Sequence, residues 1–245
     1  MEKKLNNGLI LKIVDLPVPI LKHPKWVLVV YPEGKDELQL IKLLSQSLPE
    51  IENFAKETRT RQIKVLANPS WINLASVGLK KATHYMIIYS SDLTKIATKD
   101  YPVVNIINPA KIKNLIEEQF VYHCRRESFY FTGEIKSRAR WFIDMVKEKI
   151  KKKEGVLLGA TVERKIVGFL YGEPYESEGG VDELFVQEKY RGRDLGSCLL
   201  RRAGEEFLTK GFKNCGLFTG TNIGALGFYE KLGFKKKLTI WIKNL

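Results

Sequence analysis

Cysteine is scarce in this 245-residue chain, and what there is does not pair. Cys124, Cys198 and Cys215 stand far apart with no CxxC spacing. An odd, sparse set fits a reducing compartment, with neither a disulfide framework nor a cysteine zinc site. His23, His84 and His123 are the only histidines, and they lack metal-ligand spacing. No apolar run approaches the ~20 residues that a membrane-spanning helix needs. The N-terminus is broken by Asp15, Pro17 and Pro19 and has no signal-type apolar core with a cleavage site. These absences lead us to expect a cytoplasmic protein without a metal.

What is present is a globular balance: 44% hydrophobic and 28% charged residues. The length allows one large domain or two small ones. A net charge of +13, from 41 Lys and Arg against 28 Asp and Glu, attracts polyanions without choosing among them. The excess is dispersed: residues 1–100 hold 15 basic and 10 acidic side chains. Only KEKIKKKE, 147–154, is dense, and it reads as the solvated end of a helix. With no helix-turn-helix or zinc pattern, nucleic acid is an unfavoured partner.

From Val103 onward the patterning reads strand (VVNIINP), two helices, two strands (VLLGATVE and KIVGFLYGEPY) joined by a tight polar turn, and a loop GEPYESEGG. VDELFV is the next strand, followed by a helix from about Asp194 to Lys210 that Gly211 stops. CGLFTGT is a strand, NIGALGFYEKLG a helix, and FKKKLTIWIKNL a closing strand expected at a sheet edge, where it could pair across a homodimer. This order implies an α/β domain with a mixed sheet. We expect two domains, 1–100 and 101–245, joined near the polar segment 91–101. The first carries no catalytic motif, yet WVLVVYP, DELQLIKLLSQSL, IKVLANP and SWINLASVGLKKATHYMIIYS repeat the order strand, helix, strand, helix, strand. Gly78 falls 155 residues before Gly233, and Asn68 lies 154 before Asn222. A decayed half-copy and an unrelated α/β module both fit. Where 191–196 would map, the chain reads DELQLI, without glycine or arginine, so no cofactor is expected there.

Two segments carry chemistry. In YRGRDLGSCLL, Gly192 sits where strand must turn into helix and Gly196 on the helix's first turn. A glycine lets a ligand approach the backbone closely. The unpaired amides of a helix start make an anion site, with Arg191 and Arg193 beside it. An ordinary βα turn on a basic protein is the plainer alternative. In NIGALGFYEKLGF, Phe228 and Phe234 read as core, and a tyrosine packed on the sheet is the plain reading of Tyr229. On VDELFV, Asp182 and Glu183 are neighbouring carboxylates, of which only one normally faces a given side of the sheet.

These two segments resemble the GCN5-related N-acetyltransferases (GNAT). Arg191, Gly192 and Gly196 match the family's Gln/Arg-x-x-Gly-x-Gly/Ala turn, with Asp194 where the middle glycine is usual. Asn222, Ala225, Phe228, Tyr229, Gly233 and Phe234 match its N-x-x-A-x-x-F-Y-x-x-x-G-F run. The resemblance covers residues 103–245 and implies an acyl-CoA N-acyltransferase (GNAT) fold: α/β, with a mixed, mostly antiparallel central sheet and flanking helices, beside a smaller N-terminal α/β domain. It implies direct acyl transfer, acetyl by expectation, from acyl-CoA to a primary amine. Leu184, Phe185 and Val186 would pair with the pantetheine arm along a slot left by the following strand. Arg191, Gly192, Arg193, Asp194, Leu195, Gly196 and Ser197 would hold the pyrophosphate, and Asn222 would make a polar cofactor contact. Tyr229 is carried over as the general acid and Glu183 as the preferred base, with Asp182 or water the other routes. Asp194 either turns its carboxylate outward, caps the helix itself, or crowds the phosphates. The rival reading is a non-catalytic acyl-CoA-binding regulatory module.

Overall fold

The computed structural model describes residues 1–15, 25–60, 62–126, 134–221 and 224–245. The chain forms two compact units, Met1–Tyr85 with Lys236–Leu245, and Met86–Lys235. The closing segment thus folds with the first unit, not with the residues that precede it.

In the first unit, β1 (Glu2–Lys4), β2 (Ile10–Asp15) and β3 (Lys25–Val30) pair antiparallel in turn. The 21-residue α1 (Glu37–Glu57) leads to β4 (Gln62–Ala67), which runs parallel to β3. The last strand, β11 (Lys235–Asn244), pairs antiparallel with β4 and has β5 (Lys80–Tyr89) on its other side. It therefore lies inside the row of strands, and the expectation of a C-terminal edge strand is corrected. Alternation explains the core: Val27 and Val29, Ile63 and Val65, and Trp241 point to one face, where Leu40, Leu44, Ile51 and Phe54 of α1 cover them. Each such side chain contributes about 1.5–3 kcal/mol on burial.

The second unit carries the end of β5, residues 86–89, then α2 (Ser90–Leu93), β6 (Val103–Asn105), α3 (Lys113–Arg126) and α4 (Ile135–Lys151). The meander β7 (Val156–Val162), β8 (Lys165–Tyr175) and β9 (Glu178–Val186) follows, then α5 (Leu195–Thr209), β10 (Asn214–Gly220) and α6 (Leu226–Lys231). Its strands run β5-β10-β9-β8-β7-β6, antiparallel from β6 to β9 and parallel between β9 and β10. One face packs on α5 through Leu195, Leu199, Ala203 and Phe207, and the other on α3 and α4 through Ile116, Phe120, Phe142 and Val146. The expected mixed sheet with flanking helices is what the chain builds.

One element differs. The segment 172–180, expected as a loop from its glycines and proline, is the end of a long β8–β9 hairpin with a turn at Glu176 and Ser177. Its glycines answer to packing: a Cβ at Gly179 would run into the Phe207 ring of α5, and one at Gly180 into the Tyr175 ring. Gly179→Ala is accordingly expected to lift α5 from β9 and cost about 1–3 kcal/mol. Urea unfolding should show a lower midpoint at unchanged slope; an unaltered midpoint would refute the close fit.

Candidate active site

β9 changes partners along its length. It pairs with β10 only at residues 179–181, ending at Leu217↔Val181, while its pairing with β8 continues to Gly168↔Val186. From Asp182 to Val186 the edge toward β10 is therefore unpaired by strand. The register with β8 also jumps, from Tyr171↔Glu183 to Gly172↔Val181, leaving Asp182 as an extra residue in a bulge. A bulge of this kind bends its strand and re-aims its side chains. A free edge of backbone amides and carbonyls is what an extended ligand can join as an added strand. Leu184 and Val186 pack toward the α5 side, while Phe185 is buried toward α3 and α4.

The turn after β9 carries the second feature. Gly192 has φ +72 with open space where a Cβ would stand. Asp194 sits in the left-handed region at φ 65, a conformation suited to glycine and tolerated by aspartate. Its side chain makes no capping bond, and the residue is exposed. The first α5 bond is Cys198 N–H to the Asp194 carbonyl at 2.9 Å, so the amides of Leu195, Gly196 and Ser197 have no intrahelical acceptor. Of the three readings for Asp194, self-capping is excluded here. Two expectations gain detail. A Cβ on Gly196 would lie 3.2 Å from Phe228, so this glycine also sets how closely α5 and α6 approach. Arg191 donates from Nε to the Val186 carbonyl at 2.9 Å and lays its guanidinium over Tyr122, 4.4 Å from the ring centre. It braces the turn as well as charging it. Arg193 is exposed beside Tyr190.

The first unit offers a physical contrast. There α1 begins with a closed capping box: Asp36 accepts from Gln39 N–H at 2.8 Å, and Gln39 accepts from Asp36 N–H at 3.3 Å. Next to it, Glu37 accepts from the Asn73 amide. That helix start is satisfied by its own side chains, whereas the α5 start is not.

Tyr229 of α6 is buried between Phe228 and Phe234, with ring centres 5.1 and 5.5 Å away. Burial, then the charge of Glu183 and of Cys215, push its phenol well above the ordinary value, so it stays protonated. Glu183 itself is pushed up to about 8, first by burial and then by Asp182, against the hydrogen bond from Gln119 and the charge of Arg138. Asp182, though exposed over much of its surface, holds its carboxyl against the Tyr175 hydroxyl and is pushed up to about 6. Burial and Glu173 raise it, and Tyr175 and Lys149 oppose them. The fold thus brings Glu183, Tyr229, the free edge of β9 and the α5 start into one unit. Asn222 lies outside the described residues. Sequence reading missed Gln119, Arg138 and Tyr122, which α3 and α4 deliver from 40 to 70 residues upstream without any motif. Among the described residues no group of His, Cys, Asp and Glu could hold a metal, and no helix is long and apolar enough to cross a membrane.

Residues 153–236 match the family model of the acetyltransferase (GNAT) domain. The chain is 25% identical over 225 residues, 84% of its own length and 94% of the relative's, to an uncharacterized N-acetyltransferase of Methanocaldococcus jannaschii. The fold resembles that of a GCN5-related N-acetyltransferase from Sphaerobacter thermophilus, at 15% identity and TM-score 0.57, covering 96% of this chain and 76% of that one. It also resembles a tandem GNAT protein from the clavulanic acid biosynthesis pathway, at 15% identity and TM-score 0.52, covering 96% and 78%. The α/β architecture, the uncapped helix start and the sequence match define an acetyltransferase-type domain. Over residues 153–236 the chain is similar to the GNAT acetyltransferases, and the chemistry that the match supports is acyl transfer.

The raised value of Glu183 has a consequence for stability. Its ordinary value is 4.5 and its folded value about 8, so the folded state holds this proton more tightly. Stability from that preference is full below about 4.5 and lost as pH rises through 8. Glu183→Gln, which never ionises, should therefore raise Tm over the wild type by a margin that widens from pH 5 to pH 9. A margin constant with pH would contradict the burial of this carboxyl.

Proposed function

We propose that the chain is an acyl-CoA-dependent N-acyltransferase that moves an acetyl group to a primary amine. The observation that carries the reading is the juxtaposition of an uncapped α5 start with the unpaired edge of β9. These are the two surfaces that a pyrophosphate and an extended amide-bearing arm require. The residues from Arg191 to Ser197 would hold the phosphates, with Asn222 as a further polar contact, and Leu184 to Val186 would pair with the pantetheine arm. Gly192 and Gly196 keep the backbone accessible, and Arg193 adds positive charge at the surface.

Chemistry follows from the two tuned groups. An amine arriving as ammonium gives a proton to Glu183, whose value near 8 suits an exchange with amines close to neutral pH. The freed nitrogen bonds to the acyl carbon as the carbon–sulfur bond breaks. Backbone amides on the free edge receive the developing oxyanion, and Tyr229 gives its proton to the departing thiolate. The second proton that the nitrogen sheds on becoming an amide restores the phenol, and the proton on Glu183 leaves to solvent. A carboxyl tuned to about 8 beside a phenol that can give a proton supports the enzyme over a silent acyl-CoA-binding module. As a division into domains we propose 1–100, a degenerate half-GNAT, and 101–245, the catalytic domain. The repeat supports this: β3-α1-β4 and β9-α5-β10 both pair their strands parallel across one helix. We propose a cytoplasmic setting and a homodimer that does not pair through β11, which has strands on both sides.

The test is a screen of primary amines with acetyl-CoA, following the released thiol. With any acceptor found, Tyr229→Phe should lower kcat about 10²- to 10⁴-fold while leaving acetyl-CoA affinity unchanged. Undiminished turnover in that variant would remove Tyr229 from the mechanism, and no turnover with any amine would favour the silent module.

A further inference from the structure

Beneath α3, and among the described residues, the carboxylate of Glu183 has one direct side-chain hydrogen-bond partner, Gln119, whose Nε2 donates to Oε2. Gln119 is wholly buried, and its Oε1 has no hydrogen-bond partner among the described residues. An apolar side chain of the same volume would fill this space without stranding an acceptor. Packing therefore does not explain a glutamine at this point, and its amide donor does. The amide nitrogen faces Oε2, and the ionised carboxylate, which only accepts hydrogen bonds, is the form that this donor favours.

The surroundings show why a neutral donor matters. Around Glu183 stand Asp182 on its own strand, Tyr171 opposite it and Tyr175 further along β8, Arg138 from α4 and Tyr229 from α6. Arg138 is engaged elsewhere as well, with Nη1 3.6 Å from Cys124 Sγ and its guanidinium 4.9 Å from the Phe120 ring centre. Asp182 repels the charge on Glu183, and both tyrosine hydroxyls are directed to other carboxylates, Tyr171 to Glu173 at 2.9 Å and Tyr175 to Asp182. Gln119 is thus the contact that fixes the orientation of this carboxyl.

We infer that Gln119 is a positioning residue, holding Glu183 ionisable and aimed for proton removal from the acceptor amine. The inference rests on the reading of Glu183 as the base. Two neighbouring contacts lock the same helix in place: Glu118 accepts from Gln187 Nε2 at 2.9 Å, and Tyr122 lies under Arg191. Helix α3 thereby meets β9 and its turn at 183, 187 and 191 through residues 118, 119 and 122. The amide of Gln119 is delivered by a braced element, not a wandering loop.

The experiment needs no identified substrate. In protein labelled with ¹³C-glutamate, the Glu183 carboxyl carbon is the resonance missing from Glu183→Gln, and it is followed from pH 5 to 10. The wild type should titrate near 8, and Gln119→Met about one unit higher, because a hydrogen bond that favours the charged form is gone. Equal midpoints would overturn the inference. A second measurement uses only the wild type: the Gln119 Nε2 resonance should titrate with the Glu183 midpoint, and a flat response would overturn it even if the variant failed to fold. A Glu183→Gln enzyme with undiminished acetyl transfer to a primary amine would instead refute the base reading, leaving the measured coupling of 119 to 183 intact.

Discussion

The early end of the β9–β10 pairing is the constraint on which the rest depends. Two parallel strands that stayed together to their ends would bury their edge groups against each other. Here they part after Val181 and Leu217, and the bulge at Asp182 bends β9 at the same point. The released edge runs directly into the turn at Arg191 and the start of α5. An unpaired row of backbone groups, an uncapped helix start and a carboxyl on the flank thus come from one local irregularity. Helices on both faces hold it, α5 by close packing on Gly179 and α3 by its contacts at 183, 187 and 191.

The two halves of the chain show how little separates such a site from plain structure. Both place a strand, a helix and a parallel strand in succession. In the first half Asp36 and Gln39 close the helix start on itself. In the second an aspartate stands at the corresponding point but takes a left-handed backbone, and its carboxylate leaves the amides alone. The conformation of one residue decides whether its side chain closes the helix start. The halves also exchange their ends: β11 pairs with β4, and the close of β5 lies beside β10.

Much of this was legible in the residues. The order of strands and helices from Val103 onward followed from periodicity, and the turn and the α6 run are local motifs that a single chain displays. Glycines misled where their reason is tertiary: Gly179 and Gly180 read as loop, yet they make room for Phe207 and Tyr175 in a hairpin. The placement of β11 between β4 and β5 depends on pairings across some 170 residues, which no local pattern encodes. Gln119 and Arg138 escaped for the same reason, since a polar residue on an amphipathic helix looks solvated until the strand beneath it is known. Glu183 could be named from its strand, but the burial that tunes it could not.

The central claim is that the α5 start and the free edge of β9 together receive acyl-CoA. Calorimetric titration of acetyl-CoA into the intact protein tests it most directly. The account predicts one site per chain with roughly micromolar affinity, weakened by salt as an anion site with arginines should be and displaced by free CoA. Absence of binding with acetyl-CoA and longer acyl-CoAs alike, at millimolar concentration, would contradict it.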